Sequence, residues 1–297
     1  HVIYERAAVM QWLSLFHPAR RQAVVVVEAN GLLARETARD RKALAFVGLA
    51  ASLERTLYRS ADMVVAVSDS LAEEITEFAG IDRERVVVIP NAIPNSLVVG
   101  LEVSKGTHDG PPNRNITIGF AGALVPWQQL ELLIEALGRC VPGTPAAAVR
   151  LEIVGAGPLS DELEEVAARV GVTDRVEFVG PLPQRELFNR MQSWDLGYAG
   201  HVSTVGKKMY HSPLKLYEYA GMSLGAITTD SEDSRRLAQD GMPIWIFSDE
   251  ASLDEALRMA AASRDSLRAY RAAGAVDVVR NHTWLCRAEQ LLDALCE

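Results

Sequence analysis

Short apolar runs, each followed by a longer stretch of helical spacing, recur along the chain. Val24 to Val27 is a β-branched run that predicts a strand buried on both faces. An Ala-, Leu- and Arg-rich pattern from Thr37 to Ser60 predicts a helix. Asp62 to Ser68 predicts a second strand, and Ser68 or Ser70 caps a helix running to Phe78 with Glu73 and Glu74 in its first turn. Val86 to Ile89 predicts a third strand. Residues 100 to 115 hold little that could build a core and read as a linker.

The alternation resumes beyond it. Strands are predicted at 116–120, 149–154, 176–179, 196–199, 225–229 and 244–247. Helices are predicted at 128–138, 160–170, 186–192 and from 214 to 221, and over most of the C-terminal remainder. Strands alternating with helices imply α/β domains with parallel sheets, and such sheets bind ligands beyond the C-terminal ends of their strands. No repeat of solenoid period is evident.

Length and composition narrow the class. A chain of 297 residues fits two domains of ordinary size, and 48% hydrophobic with 23% charged residues is a globular composition. The net charge of −9 argues against a nucleic-acid partner. Arg20-Arg21 and Lys207-Lys208 are small basic patches that also read as solvated surface. Cys140, Cys286 and Cys296 have no metal-ligand spacing and suggest reduced thiols in a cytosolic protein. No apolar run reaches the roughly 20 residues of a membrane span.

Four strand-to-helix loops could carry chemistry. Gly122, in Gly119–Leu124, lets backbone approach a ligand, or serves as an ordinary turn glycine. Gly155-Ala156-Gly157-Pro158 follows a strand without completing a dinucleotide fingerprint. Gly180-Pro181-Leu182-Pro183 is restricted by its prolines and could present backbone groups to a flat base. The fourth loop is His211-Ser212-Pro213-Leu214-Lys215-Leu216-Tyr217-Glu218. Pro213 suits a helix start, where free amides and Lys215 would meet a diphosphate, and Glu218, one turn on, would suit a ribose diol. A capped helix with a surface Lys and Glu is the alternative.

These residues resemble a known family. HSPLKLYEYAGM, FAGALVPWQQLELLIEAL, LEIVGAGPL and VEFVGPLPQREL are similar, in order, to the signature segments of retaining GT-B glycosyltransferases of family 4, the glycosyl transferases group 1. YRSADMVVAVSDSLAEEI, RVVVIPNAI and NHTWLCRAEQLLDAL extend the resemblance over nearly the whole chain. It implies two Rossmann-like domains with parallel sheets facing a cleft. Residues 1–108 would be the acceptor-side domain and 109–297 the nucleotide-sugar domain, with a terminal helix returning toward the first.

The resemblance further implies sugar transfer with retention of configuration, from a nucleotide diphosphate sugar and without a metal or other cofactor. The acceptor would be a carbohydrate, a lipid-linked molecule or another small molecule. The protein would be cytoplasmic, and a lipid acceptor would bring it to the inner face of the membrane. Glu218 would bind the donor ribose. Ser212, Pro213, Leu214, Lys215 and Leu216 would bind the phosphates. Pro181 and Leu182 would touch the base. Gly122, Ala123, Gln128 and Gly155 would complete the donor site.

Three departures stand out. Tyr210 occupies the first position of a Glu-x7-Glu spacing. Ala123 and Gln128 stand where many members have an Arg and a Lys; a subgroup marked by PWHG also lacks that pair, so Gln128 takes the place of its His, and the neutral loop leaves more of the phosphate to Lys215, the first catalytic candidate. Glu28, in Val27-Glu28-Ala29-Asn30, is the second, and a hydrogen-bonded loop carboxylate is its other reading. About 80 residues of the first domain are expected before residue 1, given a domain prior of about 100–200 residues. A truncated or degenerate relative that binds without turnover, and a sugar-nucleotide epimerase, are the alternatives.

Overall fold

The computed structural model describes residues 1–11, 13–39, 44–94, 97, 115–202 and 209–296. They form two compact units. Unit 1 is His1–Asn91, Ser203–Ser212 and Arg287–Glu297, and unit 2 is Ala92–Val202 and Pro213–Cys286. The boundary expected at 108/109 and Lys207-Lys208 lie outside the described residues, as does the linker except for its last residue.

Unit 1 is built on the parallel sheet β1 (Val2–Arg6), β2 (Val24–Ala29), β3 (Met63–Ala66) and β4 (Val86–Val88), in that order. The β2 run is buried as its composition requires. Val25 and Val27 join Val64, Ala66, Leu71 and Ile75 on one face, and Val26 and Val65 join Ile89, Leu291 and Leu295 on the other. β1 was not predicted. Its apolar Val2 and Tyr4 are exposed while its Glu5 is buried, the reverse of the pattern that marks a strand. The Glu5 carboxylate is satisfied by the Ser14 amide at 2.8 Å.

The single helix expected from Thr37 to Ser60 is two. After α1 (Leu13–Phe16) come α2 (Leu33–Arg39) and α3 (Val47–Ser60). The Glu54 carboxylate on α3 accepts from the Leu33 and Ala34 amides at 2.8 and 3.1 Å, so one helix caps the start of the other and the chain must double back. α4 (Asp69–Ala79) is capped by Ser68, whose hydroxyl accepts from the Leu71 amide at 3.0 Å.

Unit 2 carries the six-stranded parallel sheet β5 (Thr117–Ala121), β6 (Arg150–Val154), β7 (Val176–Gly180), β8 (Leu196–Ala199), β9 (Gly225–Thr229) and β10 (Ile244–Phe247). Their spatial order is β10-β9-β8-β5-β6-β7. This is a doubly wound order whose direction reverses between β5 and β8, so the ligand crevice is expected beyond the carboxyl ends of those two strands. The helices are α5 (Leu130–Arg139), α6 (Ser160–Arg169), α7 (Gln184–Met191), α8 (Leu214–Gly221), α9 (Glu232–Gln239), α10 (Glu250–Ala262), α11 (Arg264–Ala273) and α12 (Val276–Asn281). The last helix, α13 (Trp284–Cys296), begins in unit 2, and its residues from Arg287 onward belong to unit 1.

Two strand glycines make room for aromatic rings. Trp194 lies against Gly119 and Tyr219 against Gly197, both rings fully buried. A Cβ on Gly119 would stand inside the indole, whose nitrogen donates to Glu152 at 2.7 Å. Gly119→Ala is therefore expected to lower unfolding free energy by about 3 kcal/mol, the upper range of core overpacking. An unchanged midpoint in urea would show that Trp194 yields freely.

Candidate functional site

Three loops at the carboxyl end of the unit 2 sheet are stitched together by backbone. The Gly122 amide donates to Val154 O at 3.0 Å, Leu124 to Ala156 O at 3.1 Å and Gly155 to Gly180 O at 2.9 Å. The stitching needs glycine. Gly122 and Gly155 have φ of 147° and 143°, and a Cβ on Gly155 would stand on the Gly122 carbonyl. Gly122 and Ala123 are exposed at the end of β5. Pro181 is exposed on the neighbouring loop, and Leu182 is half-buried against the core.

α8 enters beside them. Leu216, Tyr217, Tyr219 and Ala220 are fully buried, and Tyr217 Oη donates to Asp233 at 2.8 Å. That burial turns Leu214, Lys215 and Glu218 to the opposite side, as helical spacing requires. The helix begins after Pro213 (φ −71°) with no side-chain cap, and the Leu214 and Lys215 amides have no partner among the described residues. Such an end carries partial positive charge. Ser212 lies on the other side of the division between units. Its hydroxyl accepts from the Asn91 amide at 3.0 Å, and its carbonyl from Asn91 Nδ2 at 2.6 Å.

Lys215 is folded back over the end of β5. Its Nζ lies 4.0 Å from the Phe120 ring centroid and donates to Gln128 Oε1 at 2.8 Å. The same nitrogen is 3.4 Å from the point a Cβ on Gly122 would occupy. Burial pulls the Lys215 pKa down to about 7, against the opposing pull of Glu218. Glu218 is half-buried. Burial raises its pKa and Lys215 lowers it, and its carboxylate has no hydrogen-bond partner among the described residues.

Unit 1 holds the other candidates. Glu28 stands near the end of β2 with Oε2 accepting from Tyr4 Oη at 2.9 Å and Oε1 from Asn30 Nδ2 at 2.7 Å, while Arg6 lies 3.7 Å away. Tyr210 is buried and donates to Glu36 Oε1 at 2.9 Å. Sequence reasoning missed Phe120, Tyr4 and Glu36. Phe120 stood inside a quoted segment and read only as core, and nothing local ties Glu36 to a tyrosine 174 residues away.

Residues 115–263 match the family described as Glycosyl transferases group 1, and residues 1–97 match Glycosyltransferase Family 4. The chain belongs to the glycosyl transferases group 1. Among relatives of this group 1 chain, a D-inositol 3-phosphate glycosyltransferase of Stackebrandtia nassauensis is 26% identical over 253 residues, covering 81% of this chain and 55% of the relative. One of the same name from Nocardia farcinica is 28% identical over 154 residues, covering 48% and 33%. The chain thus spans about half the length, or less, of these curated relatives. A glycosyltransferase from Rickettsia africae superposes with a TM-score of 0.68 at 15% identity, over 98% of this chain and 75% of that one. HepE of Anabaena, solved with UDP and glucose, superposes at 0.66 and 17% identity, over 93% and 72%. At such identities the likeness shows the fold, the two Rossmann-like units of the GT-B class. Among the described residues of the group 1 chain, no helix is long and apolar enough to cross a membrane.

Proposed function

We propose that this group 1 chain serves an enzyme that transfers a sugar from a nucleoside diphosphate sugar to an acceptor hydroxyl. Transfer retains the anomeric configuration and needs no metal ion. The observation that carries the reading is the pairing of Glu218 and Lys215 at the uncapped start of α8. The Glu218 carboxylate is half-buried, raised in pKa by that burial, and has no hydrogen-bond partner among the described residues, so its oxygens are open to a ligand. A vicinal diol supplies two donors and suits it. One turn earlier, the Leu214 and Lys215 amides and the Lys215 amine offer donors and positive charge to a diphosphate.

The same groups serve catalysis. When the glycosidic bond to the diphosphate breaks, negative charge grows on the leaving phosphate, and fixed amides with Lys215 stabilise it more than the ground state. Gly122, Ala123 and Gly155 leave the loop end uncluttered where the phosphates pass. Pro181 and Leu182 present backbone to the base. Glu28 is assigned to the acceptor side. The relatives named for D-inositol 3-phosphate suggest a small polyol phosphate as the first acceptor to try, and the neighbour solved with UDP suggests uridine as the first base.

The test is transfer by the full chain from UDP-, GDP- and dTDP-sugars in excess EDTA, with the product's anomeric configuration read by NMR. The expected result is product with the donor's configuration, formed at the same rate with and without EDTA. An inverted product, or no donor bound by the chain, rejects the reading.

A further inference from the structure

We infer that Gln128 is a positioning residue for the donor diphosphate: its carboxamide parks the Lys215 amine over the Phe120 ring, and an entering diphosphate draws the amine off that perch as a full ammonium. The inference rests on the donor reading above and extends it to a residue that touches Lys215.

The perch is built rigidly. Gln128 is buried, and the backbone on either side of it is pinned. Val202 N donates to Trp127 O at 3.0 Å, Tyr198 Oη donates to Gln129 O at 2.9 Å, and Gln128 N donates to Val125 O at 3.0 Å. Gly200 packs so closely on the Gln128 carbonyl that a Cβ there would come within 2.6 Å of it. The Gln128 backbone is therefore held at the switch point of the sheet, and its buried carboxamide turns Oε1 to the Lys215 amine. Phe120 supplies the floor from β5 itself.

The type of side chain matters. An amide oxygen accepts one hydrogen bond from the amine without cancelling its charge. A carboxylate would form an ion pair and compete with the phosphate. An apolar residue would leave the amine free to wander over the loop. The ring face and the amide oxygen both favour the charged amine, but burial outweighs them and leaves it half-titrated near neutrality. Of the elements packed around it, β5, the 126–128 turn and the Gly122 loop present Phe120, Gln128 and glycine, none of them charged. The one charge among the described residues that acts on Lys215 is Glu218, on its own helix. A diphosphate brings two more negative charges and restores the full ammonium.

The linkage has a definite sign. The free pKa is near 7 and the bound pKa lies higher, so donor affinity is greatest below pH 7 and falls as pH rises, by up to about tenfold per unit. Stability of the free protein moves the other way. The folded pKa lies below that of an unfolded lysine, so stability rises with pH from about 7 to about 10.5.

Two measurements test this. The chain has five lysines, Lys42, Lys105, Lys207, Lys208 and Lys215, so trace acetylation read peptide by peptide after cleavage at Tyr210 separates Lys215 from the others. Without nucleotide, Lys215 is expected to titrate near pH 7, and in Gln128→Glu its midpoint is expected to rise by two units or more. Calorimetry of UDP-glucose, whose diester diphosphate does not titrate in this range, is run at pH 8 in buffers of different ionisation enthalpy. The wild type is expected to take up about 0.9 proton per donor bound, and Gln128→Glu almost none, with at least tenfold weaker binding. A Lys215 midpoint near that of the other lysines, or donor binding without proton uptake, overturns the inference. The labelling needs no nucleotide, so failure of every donor to bind counts against the donor reading alone.

Discussion

Lys215→Ala is expected to weaken nucleoside diphosphate binding by ten- to a hundredfold while leaving the nucleoside nearly unaffected. The charged hydrogen bond it removes is worth about 1.5–3 kcal/mol, and only the diphosphate makes it. Glu218→Gln should show the complementary pattern. It keeps the shape and loses a charge-assisted bond to the ribose, so nucleoside and nucleoside diphosphate both weaken by about the same 1.5–3 kcal/mol. Neither variant should unfold the protein. Both side chains lie opposite the buried face of α8, and Glu218→Gln removes a half-buried carboxylate that has no hydrogen-bond partner among the described residues, so its melting temperature should not fall. Equal binding of UDP, UMP and uridine by wild type and both variants would remove the donor-site assignment. If uridine nucleotides do not bind the wild type, GDP or dTDP serve in the same comparison.

Gly155→Ala is expected to be the most damaging single methyl in the site. The residue has φ of 143°, a region in which an L side chain is strained, and its Cβ would stand on the Gly122 carbonyl. Backbone strain of about 1–3 kcal/mol adds to the steric conflict. Relief requires separating the loops after β5 and β6, which breaks the Gly122–Val154 and Leu124–Ala156 hydrogen bonds. Loss of about 3–4 kcal/mol in chemical denaturation is expected, together with loss of donor binding, since the Lys215 amine rests beside Gly122 on the displaced loop. Gly143→Ala is the control. It too has positive φ (83°), but nothing lies within 4 Å of its added Cβ, so backbone strain acts there without the clash. Equal stability of the two variants would show that the close approach of the two loops carries no energy.

Most strands were legible because parallel strands buried on both faces must be continuous apolar runs. Val24–Val27 and Ile116–Phe120 are examples, and the structure places β2 and β5 on them with end shifts of one or two residues. β1 was not legible, because its apolar Val2 and Tyr4 are exposed and its buried residue is Glu5, which inverts the usual pattern. The break between α2 and α3 was not legible either. Its cause is Glu54, a carboxylate about 20 residues from the amides it caps.

The candidate site divides in the same way. Pro213, Lys215 and Glu218 could be singled out because helix geometry alone puts a proline at the start and residues three apart on one face. Gln128 appeared in the sequence only as a departure from an expected pattern. That its oxygen holds Lys215, 87 positions away, depended on the reversal of strand order between β5 and β8. Glu28 and Tyr210 were visible as residue types, but their partners Tyr4 and Glu36 were not.

What the sequence determined by itself was local: periodicity, turn chemistry, the α/β class and the order of segments that marks the glycosyl transferases group 1. These follow from interactions within a few residues, or from patterns that burial imposes on each strand separately. Only the tertiary structure decided which loops meet, that Gly155 must lack a Cβ because Gly122 passes over it, and that Lys215 rests on Phe120 and Gln128. The physical reason is that such contacts join residues far apart in the chain, and their geometry exists only once the sheet has set the strands side by side.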